Sequence, residues 1–336
     1  MRDKIGVAIV GYGYWGPNLL RNFSENRSCR VVLVCDRRPQ RLSAAQARHP
    51  GLPMTVQFDE ILQNPAVDAV ALATPVSTHF LLGKRVLESG RHVLIEKPMA
   101  MSPAQAQTLL SLSLRKRKTL LPGHTFLYSP PVRRVSKFIR GGTLGRVYTM
   151  DFSRVNLGLF QPDVNVLWDL ASHDVAIALS WLGRLPSSVR AQARTFVRKG
   201  IEEVGHIWMD FPNRVWVHIH SSWLAPVKLR RVSVVGSKKM LVYDDTESVE
   251  KVKIYNEGVL KNPKSFGEFQ LTYRTGDILS PKIDASEPLS LEVADFLDCV
   301  RTGRKPRCSA EFGLRVVRVL DAAQRSMRKG GAPVKL

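Results

Sequence analysis

Residues Ile5–Val10 are apolar almost without a break, and a second run, Arg30-Val31-Val32-Leu33-Val34-Cys35, is β-branched and does not alternate. Short unbroken apolar runs of this kind predict strands buried on both faces, as in a parallel sheet. Similar runs recur at Val67–Ala73, His92–Ile95 and Thr119–His124. Between them lie segments with helical signals. Arg38–Arg48 is rich in Arg, Gln and Ala, Ser77 or Thr78 is placed to cap a helix reaching Glu88, and Ser102-Pro103 opens another with Pro at its first turn. A short stretch, Thr55–Phe58, leads into a turn capped by Asp59. Strand–helix alternation predicts a doubly wound parallel sheet over residues 1–125.

After Phe126 the pattern changes. A helix is predicted from Pro130 to Gly141, a strand over Val147–Val155 and an apolar helix over Leu170–Leu182. Strands follow at Ser188–Val197, His206–Phe211, Val215–Trp223, Arg230–Val235, Lys239–Tyr243 and Val249–Tyr255, with Pro212-Asn213 as hairpin punctuation. Strands that succeed one another without helices predict a large, mainly antiparallel open sheet in an α/β domain over residues 126–336. Asn256–Glu287 is polar and irregular, a loop or an oligomer arm, and helices near Leu289–Thr302 and Ser309–Lys329 close the chain.

The first strand ends in Gly11-Tyr12-Gly13-Tyr14-Trp15-Gly16 and runs straight into a helix-like segment. G-x-G-x-x-G in that position is a phosphate cradle. Gly11 allows the tight turn, Gly13 lets the backbone approach a pyrophosphate, and Gly16 lets helix and strand pack closely. Asp36 ends the second strand, 20 residues after Gly16. A carboxylate there accepts hydrogen bonds from ribose hydroxyls and repels a 2′-phosphate, which favours NAD. Arg37 follows at once, and a guanidinium there also suits a 2′-phosphate, so NADP stays as the alternative.

The chain has 336 residues, enough for two domains, with 44% hydrophobic and 24% charged residues. No apolar stretch approaches membrane-spanning length, and Met1–Lys4 leads directly into the first strand without a leader, so a cytoplasmic protein is expected. Cys29, Cys35, Cys299 and Cys308 lack metal-ligand spacing, so buried or free thiols are expected and no metal. The net charge of +21 points to a phosphate-bearing partner. The basic clusters carry no zinc finger, RNP motif or interleaved aromatics, so nucleic acid is not the expected partner.

Glu96-Lys97-Pro98 follows the predicted strand His92–Ile95, and ligands of parallel sheets bind outside those carboxyl ends. Pro98 restricts Lys97 to extended conformations, which aims its ammonium. Asp169 and His173 stand at i, i+4 on a predicted helix and so share a face. An imidazole beside a carboxylate, with Lys97 nearby, suits removal of an alcohol proton while a hydride leaves.

The Gly-rich segment Gly11–Asn18, Ala73-Thr74-Pro75 with Thr78-His79, Glu96-Lys97-Pro98, Gly123-His124-Thr125-Phe126 and Asp169-x-x-x-His173 together resemble the Gfo/Idh/MocA family across essentially the whole chain. The resemblance implies a Rossmann domain followed by an α/β domain whose open sheet forms a homodimer or homotetramer interface. It implies Lys97 as catalytic lysine with Asp169 and His173 as acid–base partners. His173 is assigned as the base, Asp169 as its orienting group, and Lys97 as the charge that polarises the same oxygen or itself relays the proton. Tyr14, Trp15, Thr74, Pro75, His79 and Glu96 would join the glycines around the cofactor.

The segment before the Asp169 helix supplies candidate substrate contacts. Arg154, Asn156 and Asn165 carry groups for sugar hydroxyls or phosphate, and Trp168 and Phe126 can stack on a sugar ring. The resulting expectation is an NAD(P)-dependent oxidoreductase acting on a secondary hydroxyl of a sugar. A nucleotide sugar of the UDP-N-acetylglucosamine 3-dehydrogenase type is favoured. A polyol or inositol dehydrogenase and a non-catalytic NAD-sensing regulator are the alternatives.

Overall fold

The computed structural model describes residues 4–260 and 272–336. It divides into two units: the residues up to Tyr128 with Ser286–Asp321, and Ser129–Ala285 with Ala322–Leu336.

The first unit alternates β1 (Ile5–Val10), α1 (Gly16–Glu25), β2 (Cys29–Cys35), α2 (Pro39–Arg48), β3 (Met54–Thr55), α3 (Phe58–Gln63), β4 (Ala69–Leu72), α4 (Val76–Glu88), β5 (His92–Glu96), α5 (Pro103–Lys116) and β6 (Leu120–Gly123). The strands form one parallel sheet in the order β3-β2-β1-β4-β5-β6. Its order reverses at β1, so β1 and β4 flank the switch point where such sheets bind ligands. Val7, Ile9, Val34, Ala69, Ala71, Leu94 and Leu121 are fully buried, as the unbroken apolar runs require.

Two local expectations differ from the fold. The stretch around Asp59 is the helix α3. At α4 the N-cap is Pro75, and neither Ser77 nor Thr78 caps it; the Thr78 hydroxyl donates back to Pro75 O at 2.7 Å. The Ser102 cap is present, its side chain accepting from Gln105 N at 3.2 Å.

The second unit contains α6 (Pro130–Arg140), β7 (Val147–Leu157), a π-helical turn Leu167–Ala171, α7 (Ser172–Leu182), β8 (Ser188–Arg194), β9 (Val204–Phe211), β10 (Val215–Ser222), β11 (Leu224–Gly236), β12 (Met240–Asp244), β13 (Val252–Tyr255), β14 (Gly258–Leu260), β15 (Thr272–Arg274) and β16 (Ile278–Leu279). After α8 (Pro288–Thr302) and α9 (Ala310–Arg328) comes β17 (Val334–Lys335). Among the described residues one sheet runs β16-β13-β12-β11-β7-β10-β9-β8-β17. Its pairings are antiparallel except β10 with β7. In the polar stretch Asn256–Glu287, β14 and β15 pair with each other, and residues 261–271 lie outside the described set.

Alternation sorts the sheet's two faces. Met150, Phe152, Ile207, Met209, Val217 and Ile219 are buried, and Phe152 packs on Trp181 of α7 at 6.0 Å. The other face carries His206, Trp208, His218 and His220, with His206 and His220 stacked at 4.5 Å. All four cysteines are free and buried. Among the described residues no helix is long and apolar enough to cross a membrane, and no cluster of His, Cys, Asp and Glu is set to hold a metal.

Candidate active site

The Gly-rich turn has the shape its sequence demands. Gly11 has φ +93°, and a Cβ there would stand 2.5 Å from Ala73 O. A Cβ on Gly16 would lie 2.2 Å from Gly11 O, so the turn closes on itself only with glycine at both positions. Gly13 faces the Arg41 guanidinium, 3.2 Å from where a Cβ would be. Trp15 is the N-cap of α1, makes no side-chain cap, and no acidic residue occupies the first turn. Pro17 brings no N–H and the Asn18 N–H goes to Trp15 O at 3.0 Å, so of the first residues of α1 it is Gly16 that would offer its N–H to an anion. Tyr14 is 78% exposed beside this turn.

Asp36 is only 7% exposed at the end of β2. One carboxylate oxygen accepts Tyr12 N–H at 2.7 Å, and the other accepts Arg38 N–H at 2.9 Å. Arg41 Nη1 lies 3.4 Å from Asp36 Oδ2, while Arg37 is exposed. The basic residue against Asp36 is thus Arg41, one helical turn beyond the arginine that the sequence singled out. A cradle that rejects a Cβ, an uncapped helix start and a carboxylate at the strand end together fit the pyrophosphate and ribose of NAD.

The loops after β4 and β5 are tied by His79. It is buried, with Nδ1 2.9 Å from Pro98 O and Nε2 2.8 Å from Thr74 O. With the Thr78 proton given to Pro75 O, the Thr74 hydroxyl donates to the Thr78 oxygen at 2.7 Å. Among the residues expected around the cofactor, His79 is therefore a strut that fixes Thr74 and Pro75. Lys97 and Glu96 are partly buried at the carboxyl end of β5, and the Lys97–Pro98 peptide is cis. Phe126 lies in the short 3₁₀ turn Thr125–Tyr128 after β6 and is partly buried.

In the second unit the two residues expected as an acid–base pair sit on an unusual piece of helix. Asp169 belongs to the π turn and His173 to the first turn of α7. A π turn carries an extra residue per hydrogen-bonded loop, so the i, i+4 spacing does not set their relation as it would in α-helix. Asn165 starts this turn: its Oδ1 accepts Trp168 N–H at 3.2 Å, and its Nδ2 donates to Glu202 at 2.9 Å and Gln324 at 3.1 Å. Trp168 is buried and donates Nε1–H to Gln324 at 3.3 Å. Asp169 Oδ2 accepts Nε1–H of Trp223 at 3.1 Å. Trp223 is fully buried, and a Cβ on Gly158 would meet its ring at 2.4 Å. Trp223 was not among the residues singled out from sequence; it lies 54 residues from Asp169 and no local spacing joins them.

Arg154 is buried in a bidentate pair with Asp174, with Nε 3.0 Å and Nη2 2.7 Å from Oδ1. Burial opposes the Arg154 charge, but Asp174 more than offsets it and its pKa is raised. This guanidinium braces β7 against α7. Asn156 is partly buried near the end of β7.

Sequence comparison matches residues 5–124 to an oxidoreductase family model with an NAD-binding Rossmann fold, and residues 132–242 to the GFO/IDH/MocA C-terminal domain. The UDP-N-acetylglucosamine 3-dehydrogenase of Acidithiobacillus ferrooxidans is 27% identical over 316 residues, covering 93% of each chain. The inositol 2-dehydrogenase of Rhizobium meliloti is 24% identical over 335 residues, covering 96% of this chain and 97% of the other. The structure of GenD2 from gentamicin A biosynthesis, solved in complex with NAD, superposes with a TM-score of 0.84 at 24% identity, over 100% of this chain and 97% of that one. That likeness speaks to the fold.

Proposed function

Because the chain belongs to the Gfo/Idh/MocA family of oxidoreductases, with an NAD-binding Rossmann fold, we propose that it oxidises a secondary hydroxyl of a nucleotide sugar to a ketone, or runs the reverse reduction. NAD, when bound, supplies the acceptor for the hydride. The observation that carries the reading is Lys97 at the carboxyl end of β5, in the same sheet as the Gly-rich turn after β1. Lys97 polarises the reacting oxygen and stabilises the charge that develops as its proton leaves. His173 takes that proton. Asp169, held by the Trp223 N–H, orients the imidazole and offsets its positive charge.

The nucleotide part of the substrate rests on the relative from Acidithiobacillus and on the net charge of +21, which suits a diphosphate. The inositol dehydrogenase relative favours a free polyol as the second reading. Residues 1–125 serve the cofactor, and residues 126–336 supply the substrate groups and a homodimer or homotetramer interface through the sheet. Four free thiols agree with a cytoplasmic enzyme.

The test follows NADH formation with UDP-N-acetylglucosamine and related UDP-sugars against uncharged polyols, in parallel for Lys97→Ala. Turnover confined to UDP-sugars and lost in the variant is expected. Turnover confined to polyols sinks the substrate class, and equal background rates in both proteins favour a regulator that binds NAD without chemistry.

A further inference from the structure

Several chain segments of the first unit bring ionisable groups into one buried neighbourhood, and the chemistry above uses only Lys97 among them. Glu96 of β5 lies opposite Gly123 of β6. A Cβ on Gly123 would stand 3.1 Å from Glu96 Oε2, so glycine there makes room for the carboxylate. Glu96 Oε2 accepts Lys97 N–H at 3.3 Å. Its Oε1 is closed to solvent; Trp15 Nε1 is near enough to favour the ionised form without completing a hydrogen bond. From α8 comes Glu292, fully buried, whose Oε2 accepts the Thr125 hydroxyl at 2.7 Å. Its Oε1 is buried and has no hydrogen-bond partner among the described residues. His124, next to Thr125, is buried edge-on against Phe312 at 6.3 Å.

Counting charges decides the protonation. Asp295, one turn along α8, is already engaged by Arg304 at 2.6 Å, Tyr128 Oη at 2.7 Å and Arg307 N at 2.9 Å. Burial and the Lys97 ammonium push His124 down to about 3, so it is neutral and offers no positive charge. The Cys308 thiol, also packed here, is raised by burial and stays protonated. The Lys97 ammonium thus acts on Glu96, whereas the charges acting on Glu292 are the carboxyls of Glu96 and Asp295. Ionising both would leave a buried charge without compensation, which costs more than taking up a proton. Burial, against the opposing pull of Lys97, raises Glu96 to about 7. Burial and then the Glu96 charge raise Glu292 well above the ordinary carboxylate range.

We propose that Glu292 is kept as a neutral carboxylic acid behind Glu96, so that the two carboxyl groups hold one proton between them and present a single counter-charge to Lys97. Glu292 is then a positioning residue. Seated on the Thr125 hydroxyl and uncharged, it leaves Glu96 as the one negative charge that acts on the Lys97 ammonium. The catalytic half of this inference rests on the role given to Lys97 above; the protonation half does not. As pH falls through about 7, Glu96 takes up a second proton and Lys97 loses its counter-ion, so activity drops on the acid side.

Infrared difference spectroscopy of the full-length protein without substrate tests the protonation. At pH 8 wild type is expected to show a carboxylic-acid C=O band that Glu292→Gln lacks. In Glu96→Gln that band should titrate at least about one pH unit lower, because the charge that sustained it is gone. Thr125→Val keeps the carboxyl and removes the hydroxyl donated to it, so the band should shift in frequency and persist. No acid band at pH 8, or a band unmoved by both Glu96→Gln and Thr125→Val, overturns the proposal. The pH profile of kcat/KM then tests the positioning role. Glu96→Gln should lose the acid limb near 7, while Glu292→Gln, whose amide mimics the neutral acid, should keep it. A limb that persists in Glu96→Gln overturns the positioning role. Failure of the substrate screen would leave the infrared result standing, so the two readings fail separately.

Discussion

In the proposed mechanism, replacing Lys97 with Ala removes a fixed positive charge aimed at an oxygen that becomes negative. A preorganised donor of this kind is worth about 3–4 kcal/mol of barrier, so kcat should fall about 10²–10³-fold with NAD affinity nearly unchanged. NADH absorbance and a direct NAD titration check the two halves. Trp223→Phe is subtler. It deletes the N–H given to Asp169 Oδ2 at 3.1 Å and, with the smaller ring, thins the packing of a fully buried side chain against Gly158. A hydrogen bond to a charged group contributes roughly 1.5–3 kcal/mol, so kcat/KM should drop at least about tenfold, and the melting temperature should fall as well. An unaltered kcat/KM would show that Asp169 needs no such brace. Lys97 stood out as a candidate because a Glu-Lys-Pro triplet after an apolar strand is a local pattern. Trp223 did not, because its partner is distant in sequence and an indole in a strand is ordinarily core.

Elements that depend on neighbours in sequence were legible. The β1 turn, the Asp36 strand end, the Ser102 cap and the antiparallel run of strands each follow from spacing a few residues long. The π turn at Leu167–Ala171 was not, since its residues suit an α-helix equally well and only tertiary packing selects the wider loop. Nor was the parallel pairing of β7 with β10, which is closed by the intervening α7, β8 and β9. Two predictions belong here. Gly11→Ala places a methyl 2.5 Å from Ala73 O at a φ of +93°, so NAD should no longer raise the melting temperature, as differential scanning fluorimetry would register. Arg154→Met strands the buried Asp174 carboxylate, and urea unfolding should show a loss of about 3–5 kcal/mol. A loss below about 1 kcal/mol would mean that Asp174 finds another partner.

For the whole molecule, the buried carboxyl at Glu96 leaves a mark on stability against pH. Its folded pKa of about 7 exceeds the ordinary value of 4.5, so between these limits the native chain binds more protons than the unfolded one. Stability therefore declines as pH rises through this window, by about 3 kcal/mol for a shift of that size. Glu96→Gln should flatten this part of the curve relative to wild type and be the more stable protein at pH 8. Urea midpoints at pH 5 and pH 8 measure it, and parallel curves for the two proteins would refute the assignment. The sequence marked Glu96 only as a neighbour of Lys97. That α8, returning from beyond residue 286, brings a second carboxyl to it is a property of chain topology, which no window of local sequence contains.

The four sealed sulfur atoms have a practical corollary. Burial pushes Cys29 and Cys299 to about 11 and Cys35 to about 12, so the folded protein exposes almost no thiolate to a chromogenic disulfide reagent. Electrophilic inhibitors that hunt for cysteine should pass this protein by. Each sulfur instead becomes a built-in clock: the moment it reacts dates the opening of the strand or helix that hides it, Cys35 for β2 and Cys299 for α8. Pulsed alkylation read by mass spectrometry would therefore order the steps by which this half of the molecule comes apart, with no probe introduced.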